Sequence, residues 1–197
     1  MPRIPPLDRS DLGDFDPFFK IIEEMMGFVP NSMLTMGRWP ELLQAFNGLA
    51  GVIQGGATIE RELIQLVAFV SSNASGCRYC QAHTSHGAEK AGVALEKIDA
   101  AFEFETSDLF SAAERAALRL ARDSSLVPSA VEDAHFEDLR AHYTEREIIE
   151  LVAVISLFGW LNRWNDTMGT TLEQGPLQFG RENLASHGWD AGKHRDR

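Results

Sequence analysis

The stretch Ser75-Gly76-Cys77-Arg78-Tyr79-Cys80-Gln81-Ala82-His83-Thr84-Ser85-His86 holds both cysteines of the chain, three residues apart, and two histidines follow at the same step. Four readings compete for such a set: a redox dithiol, a metal centre, a haem attachment point, or inert thiols buried as small hydrophobes. Ser75-Gly76 breaks the apolar run from Leu63 to Val70, and nothing from Arg78 to Lys90 would break a helix, so Cys77 is predicted to open one. Residues three apart on a helix have Cβ atoms about 5–6 Å apart, close enough for Cys77 and Cys80 to form and release a disulfide with a small adjustment. The unsatisfied N–H groups and dipole of a helix N-terminus, with Arg78 adjacent, favour a thiolate at Cys77.

The other chemistries fit less well. Cys77, Cys80, His83 and His86 climb one helix at about 1.5 Å per residue, so a single zinc cannot collect all four, although two or three with a distant ligand could form a site. Haem attachment needs His directly after the second cysteine, and Gln81 stands there. Inert thiols would explain neither the spacing nor the histidines.

The elements that must position this stretch read as helices, and few segments alternate as strands do, so the expected class is all-α. An arm over residues 1–13 should precede a helix starting at Asp16-Pro17 and ended by Gly27 or the Pro30-Asn31 break. A second helix is expected from about Trp39 to Ile53, closed by Gly55-Gly56, and a third, capped by Thr58, to about Ser72. The apolar stripes of these helices read as core. Ser111-x-x-Glu114, Ser129-x-x-Glu132 and Thr144-x-x-Glu147 read as capping boxes for helices near 111–123, 129–142 and 144–161.

Arg61 to Ser71 and Arg146 to Ser156 are identical at seven of eleven positions. Continuing this offset lays Asn162 on Cys77, Arg163 on Arg78, Trp164 on Tyr79 and Asn165 on Cys80. An internal duplication is expected, with two long central helices and thiols kept in one copy only. The repeats span about 38–92 and 111–174 of one domain over 1–197, and the tail from Gly175 has aromatics but little periodicity, as in segments that pack on a neighbouring subunit.

Composition narrows the function. With 44% hydrophobic and 24% charged residues the chain is ordinary for a globular protein. A formal net charge of −11 argues against nucleic acid or an anionic membrane as partner. Prolines at positions 2, 5 and 6 stand where an apolar leader would be needed, and the longest apolar run, Ile148 to Leu161, is short for a membrane span and interrupted by Glu150, so a cytoplasmic protein is expected. There a Cys-x-x-Cys is catalytic or metal-binding more often than structural.

Arg61-Glu62-Leu63-Ile64, then Cys77-x-Tyr79-Cys80-x-Ala82-His83, then Ala88 to Gly92, within a duplicated helical frame, resemble the AhpD-like alkylhydroperoxidases of the carboxymuconolactone decarboxylase superfamily. Phe28-Val29-Pro30-Asn31, Leu161 to Asp166 and Gly188-Trp189-x-x-Gly192-Lys193-His194 are similar to its peroxidase-related branch. The resemblance implies an AhpD-like helical bundle, a homo-oligomer, and a peroxidase in which Cys80 attacks the peroxide, Cys77 resolves the sulfenic acid as a disulfide, and a histidine and a glutamate relay protons. The implied reductant is a dithiol such as a lipoyl or thioredoxin-like protein, with no haem, flavin or metal cofactor.

The chain departs from that pattern at three positions. Thr84 occupies the usual histidine position, making His83 the expected relay histidine, since i and i+3 share a helix face, while His86 points further round. Tyr79 stands where the best-known members carry a histidine between the cysteines. Gln65 replaces the relay glutamate and cannot take a proton, so Glu62 is the expected substitute, with Glu150 a second candidate. Two other functions stay open: a lactone decarboxylase, which does not rely on this cysteine pair, and a non-enzymatic redox-sensing oligomer.

Overall fold

The computed structural model describes residues 2–196; Met1 and Arg197, the ends of the expected arm and tail, lie outside the described residues. Ten α-helices are found among the described residues, with short 3-10 turns and no strand. They are α1 (Asp16–Met26), α2 (Asn31–Met36), α3 (Pro40–Gly55), α4 (Arg61–Ala74), α5 (Arg78–Ala91), α6 (Leu95–Ala100), α7 (Ala112–Ser124), α8 (Asp133–Arg140), α9 (Glu145–Met168) and α10 (Gln174–Asn183). No helix is long and apolar enough to cross a membrane among the described residues.

The centre is formed by α4, of 14 residues and thus no longer than α5, and by the longest helix, α9, of 24 residues. α4 packs on α5, α7 and α9, and its buried Leu66, Val67 and Phe69 share a core with Leu118, Leu151 and Val154. A second cluster joins Leu12, Phe19, Met36, Leu43 and Phe46 to Leu157, seating α1, α2 and α3 on α9. Leu12 is the reason the expected arm is not extended to residue 13: its side chain is buried against Gly37, and residues Arg9–Phe15 coil into a 3-10 helix to deliver it.

The two copies of the sequence repeat are drawn differently. α4 stops at Ala74, and Gly76, in the left-handed region at φ 72°, turns the chain so that α5 starts afresh behind Cys77. The repeat has Leu161 at the matching position, which prefers ordinary helical geometry, so α9 runs unbroken past the expected end at residue 161 to Gly169. Asn162 and Asn165 therefore sit on the central helix itself.

Caps explain the remaining boundaries. Gly27 at φ 87° ends α1, and the reciprocal boxes Ser111/Glu114 and Thr144/Glu147 start α7 and α9 as expected. Thr58 does not cap α4, whose N-cap is Glu60; its backbone N–H and its hydroxyl instead donate to Glu150 at 2.8 and 3.0 Å. The expected box at Ser129 is displaced to Glu132 and His135, because His135 Nε2 also meets Asp123 at 2.9 Å and ties the start of α8 to α7. The expected break at Pro30-Asn31 is the start of α2, in which Pro30 is the N-cap. The tail packs on its own chain: Trp189 Nε1 donates to the Arg78 carbonyl at 3.1 Å, and the wall of Gly180 lies against its ring.

Candidate active site

Cys77 is the N-cap of α5 and Cys80 stands on its first turn; both are free thiols and both are buried. A cavity of about 360 Å³ opens beside them, between the two core clusters, and Cys80 lines it whereas Cys77 does not. Its walls are mainly apolar, from Phe18, Met25, Phe28, Met33 and Phe158, and its polar end is formed by Tyr79, Cys80, His83 and Asn165. A larger groove of about 760 Å³ runs along the C-terminal half of α9 by Trp160 and Asn162, and neither sulfur lines it.

The two thiols differ in acidity. A Cys80 S–H directed at Cys77 draws the Cys77 thiol below its ordinary value; burial and the Asp166 carboxylate oppose this, and the amide N–H groups of Cys80 and Tyr79 support it. Burial pushes the Cys80 thiol well up, and the hydrogen bond with Cys77 and its charge push it further. The pair therefore holds its first negative charge mainly on Cys77 and loses a second proton only with difficulty. Asn165 Nδ2, 3.5 Å from Cys80 Sγ, is the counterweight that favours charge at Cys80.

The structure brings His83 to this end of the cavity and pairs it with a glutamate the sequence did not single out. His83 Nε2 and Glu173 Oε2 are 2.6 Å apart, and the Tyr79 hydroxyl donates to Glu173 Oε1 at 2.9 Å. The Tyr79 and His83 rings stack with centroids 4.2 Å apart. Burial works against ionisation of Glu173, but the charge and hydrogen bond of His83 and the Asn31 N–H hold its carboxyl below the usual range. Burial and the Glu173 charge push the Tyr79 phenol well up, so it stays a proton donor. Tyr79, His83 and Glu173 thus make a hydrogen-bonded chain able to hold and deliver a proton at the cavity floor.

Glu173 gave no spacing signal. It lies just before α10, ninety positions from His83, and only the fold joins them. The expected substitutes fall elsewhere. Glu62 is exposed on the first turn of α4, its carboxylate beside Gly92 and outside the cavity lining. Glu150 is fully engaged by Thr58, Ile59 and Arg146. Gln65 does line the cavity, and its amide oxygen lies 2.6 Å from where a side chain on Gly87 would begin. Thr84 bonds back to the Cys80 carbonyl at 2.7 Å, and His86 stands at the cavity rim between Phe28 and Phe179. The four residues Cys77, Cys80, His83 and His86 do not gather at one point; among the described residues Cys77 converges instead with Asp166 and His194.

Comparison with known proteins places the chain in a family. The model of the carboxymuconolactone decarboxylase family matches residues 40–123. The chain is 32% identical over 115 residues to the uncharacterized protein YdfG of Bacillus subtilis, a match covering 57% of this chain and 78% of that protein. It is similar to the debrominase Bmp8, in the apo form at TM-score 0.85 and as a cysteine-to-alanine variant in complex with 2,3,4-tribromopyrrole at 0.86, in each case with 42% identity over 91% of this chain and 96% of that one. It is also similar to an alkylhydroperoxidase AhpD core, an uncharacterized peroxidase-related protein from Ralstonia eutropha, at 25% identity and TM-score 0.78 over 91% of this chain and 96% of that one.

Proposed function

The chain belongs to the AhpD-like carboxymuconolactone decarboxylase superfamily, and from that membership we propose that Cys80 and Cys77 form a dithiol that reduces a small apolar electrophile by two electrons. The observation that carries this reading is the placement of Cys80, alone of the two sulfurs, at the floor of an apolar cavity whose polar end is the Tyr79, His83 and Glu173 chain. A cavity of about 360 Å³ walled by Phe and Met suits a molecule of ring size better than hydrogen peroxide.

The electrophile placed first is a halogenated aromatic, because the debrominase with 42% identity shares nearly the whole chain length. The Cys80 thiolate attacks bromine, an S–Br bond forms as C–Br breaks, and the electron pair left on the ring carbon takes a proton from the Tyr79, His83 and Glu173 chain. Cys77 then attacks the Cys80 sulfur, its proton leaves with bromide, and a disulfide forms. An external dithiol restores both thiols.

A second electrophile, an organic hydroperoxide, is favoured by the AhpD-core neighbour. Cys80 attacks the outer oxygen, the departing alkoxide takes the proton from the same chain, and Cys77 displaces water from the sulfenic acid. The test offers the reduced protein a polybrominated pyrrole or cumene hydroperoxide, with dithiothreitol as reductant, and measures bromide or alcohol together with intramolecular disulfide by mass spectrometry. Bromide release that vanishes in Cys80→Ser supports the first reading, and alcohol formation alone supports the second. Turnover of neither substrate by wild type, or full turnover by Cys80→Ser, removes the dithiol mechanism.

A further inference from the structure

His194 is fully buried in the last 3-10 turn, Gly192–His194, and the mechanism so far gives it no task. Its Nδ1 lies 2.8 Å from the Thr170 carbonyl oxygen, which can only accept, so Nδ1 carries the hydrogen. In the neutral ring Nε2 must then bear the lone pair, and this nitrogen has no hydrogen-bond partner. A buried ring nitrogen left unpartnered is uncommon in a native structure. The ring, the Cys77 sulfur and an Asp166 carboxylate oxygen all lie within 4.8 Å of one another, and Nε2 is 3.8 Å from Asp166 Oδ1.

We propose that His194 is the base that takes a proton from the dithiol through Cys77, with Asp166 placed to steady the imidazolium that results. The Cys77 S–H bond breaks, an N–H bond forms at Nε2, and the electron pair stays on sulfur. Cys80 passes its own proton to Cys77 when it attacks, which brings the charge to the cavity side. The charged and titratable groups facing the ring are Cys77, Asp166, Lys193 and the Tyr79 ring, whose centroid is 5.9 Å from that of His194. Lys193 pairs with Asp166 at 2.7 Å and fixes that carboxylate beside the ring. Burial draws the His194 imidazole below its ordinary value, against the Thr170 carbonyl and Asp166, so with the thiols oxidised the ring is a neutral base able to accept a proton. The dithiol then has a relay at each end: Tyr79, His83 and Glu173 supply the proton that the substrate needs, and His194 with Asp166 takes the first of the two that the thiols lose, the second leaving as the disulfide forms.

This assignment rests on the dithiol reading, but its readout is thiolate formation and needs no substrate. In the reduced full-length chain, thiolate absorbance at 240 nm and iodoacetamide alkylation are followed against pH for wild type and His194→Asn. Asparagine can keep the donor to Thr170 and lacks Nε2. Alkylation about tenfold slower at neutral pH, with the thiolate midpoint moved upward, is expected; an unchanged midpoint in a folded variant overturns the proposal. Should that variant fail to fold, 15N-histidine NMR of wild type gives the answer: Nε2 gains a proton when the disulfide is reduced, and an Nε2 unprotonated in both redox states overturns the proposal. One equivalent of divalent metal in the purified protein, absent from His194→Asn, would assign the cluster to a cation and also overturn it. A shifted thiolate midpoint without turnover of bromopyrrole or hydroperoxide keeps the base and discards the substrates; turnover with an unshifted midpoint does the reverse.

Discussion

Asn165 Nδ2 donates to Cys80 Sγ at 3.5 Å, and the two residues are separated by 85 positions, the offset of the internal repeat. The residue that stands opposite Cys80 in the second copy of the repeat is its hydrogen-bond donor. The physical cause is the unbroken helix α9, which carries Asn165 into the seam with α5 where a second turn would have carried it away. Asn165→Leu removes the donor at similar size. A hydrogen bond to a charged partner is worth about 1.5–3 kcal/mol, so alkylation of Cys80, followed by peptide mass mapping, should slow by about tenfold or more near neutral pH. An unchanged rate would leave Asn165 a packing residue only.

Glu173→Gln should lower turnover by about 10²-fold or more, because it removes the carboxylate from the Tyr79 and His83 chain. Its pH signature has a definite sign. The folded carboxyl is held below its ordinary value of 4.5, so its contribution to stability is complete above that value and is lost as pH falls through the folded value. Acid unfolding of the variant, followed by circular dichroism, should show less pH dependence below about pH 4.5 than wild type. Equal acid profiles would remove Glu173 from the ionised network.

Glu150 acts at the far end of α9, on stability. Burial opposes its ionisation, yet Arg146, the Thr58 and Ile59 N–H groups and the Thr58 hydroxyl bring its pKa down to about 2. That stabilisation is complete above the ordinary 4.5 and disappears as pH falls towards 2. Glu150→Gln should destabilise by about 2 kcal/mol and lower Tm by about 4–8 °C, with the gap to wild type closing in acid. A gap that persists at pH 2 would point to packing.

Sequence reasoning reached what local spacing controls. Cys77 at a helix start, the boxes at Ser111 and Thr144, the Gly27 stop and the repeat of Arg61 to Ser71 all depend on neighbours within a few turns. His83 was legible for the same reason, since its step from Cys80 puts both on one face of α5. Glu173 was not, because it meets the cysteine helix only after the tail folds back, and a lone acid before Gln174 has no period to betray it; His194 was visible only as the end of the Gly188 to His194 motif, with nothing in the spacing to join it to Cys77. Glu62 was a reasonable substitute by helix position, but an exposed first turn is where a carboxylate is comfortable without any task. Ser129 misled in another way: its box pattern is intact, yet Glu132 wins the cap because His135 gains Asp123 as a partner.

Ile149, Val152 and Trp160 expose 65%, 40% and 38% of their surface, and steps of three and eleven return to one side of α9. The homo-oligomer expected from the sequence would bury this row. Sedimentation velocity at micromolar concentration should give a species larger than the monomer, and Ile149→Glu with Val152→Glu should shift it to monomer. A wild-type protein that sediments as one monomeric species would count against self-association.

The order of the two cysteines is the prediction with most at stake, because acidity and access point to different sulfurs. Cys77 holds the first negative charge more readily, while Cys80 alone lines the cavity. A nucleophile must touch its electrophile, and a proton can move from Cys80 to Cys77 faster than an apolar wall can open, so access should decide. Oxidation of wild type should then consume both thiols within one chain and give no dimer on a non-reducing gel. In Cys77→Ser, the resolving sulfur is gone, so bromine transfer followed by hydrolysis, or direct peroxide attack, should leave a sulfenic acid on Cys80 that dimedone captures. In Cys80→Ser neither substrate should be turned over and no dimedone adduct should form on Cys77, which does not line the cavity. An adduct on Cys77 in that variant, with Cys80 unlabelled in the other, would reverse the roles and make the more acidic thiol the attacking one.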